Sequence, residues 1–239
     1  MGKLSEESFS AIKGELIDGR LTMSGIRSYL VGLFVLSGIV VGVSLAVANA
    51  NTIGWNTLSP GWHRIYYVEA ILFGFHLLLI LLWWNNSFSQ KLLSFGMVLL
   101  TFKAALDPFL VIVMFSKDEG KYYLYMPLIL IILVSGLILH IVVLVKWLNS
   151  LKLENKKIEK VNSKKDTKYL MLFPLIFLLT AITTMIIKNG LLGDYELLFI
   201  LFFVAILYFG LLIAAVEFLI AMYCIFKFPS FWVRNFDRK

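Results

Sequence analysis

Six predominantly apolar runs, each about as long as a bilayer is thick, dictate what this chain can become: Tyr29–Val47, Ile65–Trp84, Leu92–Phe115, Tyr122–Val145, Tyr169–Ile187 and Leu197–Phe226. A hydrocarbon core of about 30 Å calls for about 20 apolar residues in a helix. In lipid every backbone N–H and C=O must find its partner inside the structure. Barrel strands would be runs of about 10 residues alternating apolar and polar, and these do not alternate. The sequence therefore predicts an all-α fold, a polytopic transmembrane helical bundle of six spans. With 60% hydrophobic and only 15% charged residues, against roughly 25% charged in soluble domains, an ordinary globular fold is excluded.

Around residues 28–227, which hold the spans, lie a cytoplasmic N-terminal segment (1–27) and a basic C-terminal tail (228–239). With the N-terminus inside, 17 Lys and Arg fall on the cytoplasmic side and four (Arg64, Lys117, Lys121, Lys188) outside. That is the bias that sets orientation in the cell membrane, and it puts both termini in the cytoplasm. The net charge of +7 thus points to the bilayer and its anionic headgroups as partner rather than nucleic acid.

The connections have several readings. Scattered apolar residues within Ser5–Ile26 suit an amphipathic helix on the inner surface, or a loosely ordered tail. Trp55, Trp62, Tyr66 and Tyr67 suit an interfacial aromatic belt, as do Trp83 and Trp84 at the other side. The basic loop Lys146–Lys168 begins as an extension of the fourth helix. The small residues of Ala46–Ala50 resemble a signal-peptidase site, but the apolar region before them is long for one; a signal anchor is the alternative. Small residues at Gly38, Gly42 and Ala46, and at Gly210, Ala214 and Ala221, invite close helix packing.

Six ionisable residues fall inside the spans: Glu69, His76, Lys103, Asp107, His140 and Glu217. Such groups are costly in hydrocarbon and mark packing contacts or ion paths. Glu69 and His76 share a helical face, as do Lys103 and Asp107, which Pro108 follows. At 1.5 Å per residue, an outer group of Glu69, Lys103 and Asp107 and an inner group of His76, His140 and Glu217 are expected. Two roles compete, helix packing and a proton or ion path. His76 and His140, at similar depths, are also the candidate axial ligands if a b-type haem is bound; no other cofactor and no metal site is expected.

Soluble-style catalysis has no footing, since HExxH, GxSxG and phosphate-loop motifs are absent. The single cysteine, Cys224, rules out an intramolecular disulfide and a cysteine-built metal site. No catalytic residue is assigned, and a non-enzymatic role is favoured. The sequence points to a transport-related, accessory-subunit or immunity-type membrane protein, working with other membrane subunits or with a separate ATPase chain. A haem-binding redox protein, or a subunit of a membrane enzyme complex, is the alternative.

Overall fold

A computed structural model describes residues 6–50, 54–82, 86–154 and 195–233, which are predominantly helical with no strand among them. A short helix α1 (Ser10–Ile17) precedes five long ones: α2 (Met23–Asn49), α3 (Pro60–Ile80), α4 (Ser87–Asp118), α5 (Tyr122–Glu154) and α6 (Glu196–Lys227). These five are long and apolar enough to cross a membrane, so the chain is a multi-pass helical membrane protein. The fifth apolar run, Tyr169–Ile187, lies outside the described residues, as do Trp83, Trp84 and residues 155–168 of the basic loop. The start of that loop continues α5 as far as Glu154.

Local chemistry sets the helix ends. Thr22 caps α2 by accepting from the Gly25 N–H at 3.2 Å, and the Asn86 side chain caps α4 through the Ser89 N–H at 2.7 Å. Pro60, which has no N–H to satisfy, opens α3. At the end of α4, Gly120 takes a φ of 70°, and the Lys121 N–H reaches back to the Ser116 carbonyl at 2.7 Å. This left-handed glycine closure lets α5 start at once. Pro108 sits inside α4 without ending it.

Partner contacts define the arrangement. The pairs Ser44–Tyr66, Leu30–His76 and Arg27–Leu82 show α2 and α3 running antiparallel. Tyr208 on Leu133 and His140 on Leu212 show α5 and α6 running parallel. α4 is the axis. Of its most apolar 18-residue window 67% is buried, against 17–28% for the other four long helices, which keep lipid-facing residues such as Ile71, Leu78 and Ile131 exposed.

Closest approach is set by two glycines. A Cβ on Gly96 would lie 2.1 Å from Leu79 Cδ1, and one on Gly136 would lie 2.1 Å from Tyr208 Cε1. Of the glycines in the small-residue stripes, Gly38 faces Phe73, while Gly42 and Gly210 have open space around them. Trp55 in the connection, and Trp62 and Tyr66 in the first turns of α3, pack on the end of the bundle, and Tyr67 remains exposed.

The N-terminal segment docks on the opposite end. Phe9, Ile12, Leu16 and Leu21 bury themselves in one apolar cluster with Ile220, Cys224, Ile225 and Phe231. Phe9 meets the rings of Tyr223 and Phe228 at about 6 Å. After α6 the chain turns at Pro229 and folds back, held by the buried Gln90: its Nε2 donates to the Phe231 carbonyl at 3.1 Å, and its Oε1 accepts from the Val233 N–H at 2.9 Å. Lys91 lies 4.6 Å over the Trp232 ring. Gln90→Leu, which removes both bonds and leaves the Phe231 carbonyl and the Val233 N–H without their partner, should cost about 1–3 kcal/mol. The measurements are a lower melting midpoint and faster amide exchange at Val233.

Candidate functional site

Four residues of α3, Tyr66, Glu69, Phe73 and His76, recur at helical spacing on one face, and this face turns toward α2 and α4. Opposite them α2 supplies Ser37 and Ser44, seven positions apart and both fully buried. The third wall is α4, with Thr101, Lys103 and Asp107, all buried.

At the centre the Lys103 ammonium meets two acids. Its Nζ lies 2.5 Å from Glu69 Oε2 and 2.8 Å from Asp107 Oδ2. It also donates to Ser37 Oγ at 2.6 Å, and the Ser37 hydroxyl donates in turn to Asp107 Oδ2. The face of Phe73 lies 5.4 Å from the ammonium, close enough for a cation–π contact. The side chains of Lys103 and Asp107 are 3% and 1% exposed, and that of Glu69 13%. Asp107 Oδ1 is buried and accepts no hydrogen bond among the described residues.

Toward the end of the bundle where α2 leads into α3, the hydroxyls of Ser44 and Tyr66 meet at 2.6 Å. Toward the opposite end, Tyr29 and Thr101 share a hydrogen bond of 2.9 Å. There His76 Nε2 donates to the Leu30 carbonyl at 2.8 Å, and Nδ1 is buried with no hydrogen-bond partner among the described residues. The imidazole lies edge-on to Phe34, and Phe73 lies 6.5 Å away.

Glu69, Lys103 and Asp107 are thus brought together, and His76, His140 and Glu217 are not. His140 Nδ1 donates to the Leu212 carbonyl at 2.8 Å and packs edge-on to Phe102, at the meeting of α4, α5 and α6. Glu217 receives both oxygens' worth of hydrogen bonds from Arg20 of the N-terminal segment, at 2.6 and 2.5 Å. It is the polar anchor of that segment; of the small residues near it, Ala221 is fully buried, while Gly210 has open space. The two histidines occupy different helix interfaces, whereas axial haem ligands converge on one iron. No group of three or more His, Cys, Asp or Glu able to hold a metal occurs among the described residues.

Sequence reasoning missed Ser37 and Phe73. The spacing of Leu30, Ser37 and Ser44 by sevens marks one stripe of α2, and two serines on the stripe that packs were the available signal. For Phe73 there was none, because an aromatic ring in a span is ordinary.

With both carboxylates ionised the cluster would carry one surplus negative charge. Burial makes an unneutralised charge expensive, so the arrangement can take up one proton or one monovalent cation. Comparison with protein-family models, curated proteins and solved structures returned no match.

Proposed function

We propose that this is a six-span protein of the cell membrane, transport-related or accessory to transport, whose Glu69–Lys103–Asp107 cluster binds and releases one proton. The observation behind this reading is that two carboxylates meet one ammonium in a buried position. Asp107 accepts from both Lys103 and Ser37. Glu69 is paired with Lys103 and has the more exposed side chain of the two acids, so the exchangeable proton is assigned to Glu69.

Parity supports the sixth span. The chain enters α2 and leaves α6 at the same end of the bundle, where Phe9 packs on Tyr223 and Phe228. Five helices account for an odd number of crossings, and the apolar run Tyr169–Ile187 has the length for one more, which agrees with the parallel course of α5 and α6. The asymmetry of Lys and Arg supports both termini in the cytoplasm, where basic residues touch anionic headgroups and are available to a separate subunit or ATPase.

An accessory or immunity-type role, with the cluster as an interlock, is favoured by Ser37, which ties α2 to both charges of α4. A haem b role draws no support from two histidines at separate interfaces. Infrared difference spectra between acid and alkaline pH decide between proton site and interlock. A protonated-carboxyl band that titrates in the wild type and vanishes in Glu69→Gln supports the proton site, with proton flux into proteoliposomes falling in the same variant. A spectrum with no titrating carboxyl counts for the interlock.

A further inference from the structure

We infer that Glu69, Asp107, Ser37 and the face of Phe73 form a binding cage for a small monovalent cation or primary ammonium, with the Lys103 ammonium as its tethered occupant. The lining chemistry selects the ligand. Two carboxylates and a hydroxyl approach the lysine nitrogen at 2.5–2.8 Å, and an aromatic face closes one side at 5.4 Å. Oxygen ligands suit hard cations, and a ring face suits an ammonium. No other cationic side chain is in contact with these groups among the described residues.

Asp107 Oδ1 is the independent sign of an incoming ligand. It belongs to a residue 1% exposed and accepts no hydrogen bond among the described residues, so an acceptor beside the cage is left unused by Lys103 and Ser37. Charge sets the valence. With Lys103 protonated, the two acids leave room for a single positive charge, and a divalent ion would overfill it.

Exchange rests on the proton reading above. A cation M⁺ enters as the Glu69 carboxyl releases its proton to water, the carboxylate then facing M⁺, so one proton leaves for each cation bound and the charge of the cluster is unchanged. The Ser44–Tyr66 hydroxyl pair marks the side from which polar groups lead to the cage, and the Phe73 ring lies 5.4 Å from the Lys103 ammonium and 6.5 Å from the His76 ring.

Two measurements on the full chain in lipid nanodiscs test this, with choline chloride as the ionic-strength control. In the first, Lys103→Ala, which removes the tethered ammonium, is melted in sodium, potassium, ammonium and propylammonium chlorides. A saturable rise in melting midpoint with a small cation or propylammonium, absent with choline, is expected. In the second, wild-type protein is treated with dicyclohexylcarbodiimide, whose central carbon is attacked by the Glu69 carboxyl oxygen while the acid proton passes to a carbodiimide nitrogen. Labelling should be slowed several-fold by the small cation and be absent in Glu69→Gln.

Labelling that no cation slows, with a Lys103→Ala protein that no small cation stabilises beyond choline, overturns the cage and leaves the proton site standing. Absence of labelling in cation-free wild type overturns the proton site, and Lys103→Ala rescue then decides the cage by itself. If Lys103→Ala does not fold, cation protection of Glu69 in the wild type decides it.

Discussion

Lys103→Met is expected to lower stability by about 3–5 kcal/mol, because it strands two buried acids without their cation. Combining it with Asp107→Leu and Glu69→Gln should recover most of that loss, since an apolar replacement of a whole buried ion cluster is often close to neutral. Thermal melting of the purified protein in one detergent checks the pair. Equal losses in the single and triple variants would show that Lys103 contributes by packing, for instance over Phe73, and not by charge. Because the three charged residues and Ser37 touch, their effects should be strongly non-additive.

Gly136→Ala is expected to cost about 1–3 kcal/mol through overpacking. The new Cβ would sit 2.1 Å from Tyr208 Cε1 and 3.0 Å from Leu212 Cδ1. Tyr208 has little room to move: its hydroxyl donates to the Leu133 carbonyl at 2.9 Å, and Phe109 stands edge-on to its ring at 5.2 Å. Helix propensity alone favours alanine over glycine by about 1 kcal/mol, so a net loss isolates the packing. Melting of Gly136→Ala, Tyr208→Ala and the double variant is the check. A double variant less destabilised than the sum of the singles is expected, and additivity would count against the contact.

The spans were legible because their cause is local. A run of about 20 apolar residues satisfies the bilayer wherever its neighbours are, and the five described long helices follow such runs, although α2 begins at Met23, ahead of the apolar run. The extra turn follows from Thr22 as cap and from Ile26, which packs beneath the bundle. The N-terminal segment was harder to read. Its apolar residues suit a bilayer surface as well as a protein surface, and only the position of Tyr223, Phe228 and Phe231 makes it part of the bundle.

The site divides in the same way. Spacing by four puts Lys103 and Asp107 on one face of any helix, so that pair is a property of the sequence. Depth, estimated from helix rise, sorts the ionisable residues by height but carries nothing about rotation. For that reason Glu69 and Lys103 meet as grouped, while His76, His140 and Glu217, which the same estimate groups together, face three different partners: the Leu30 carbonyl, the Leu212 carbonyl and Arg20.

By itself, then, the sequence determined a helical membrane protein and the Lys103–Asp107 pair, both of which depend on helix geometry and the thickness of the bilayer. Tertiary structure decided that Lys103 has two acidic partners and a bridging serine, and that Glu217 holds the N-terminal segment. Those contacts depend on the azimuth of each helix, which the fit of Leu79 against Gly96 and Tyr208 against Gly136 selects, and no one-dimensional pattern encodes such a fit.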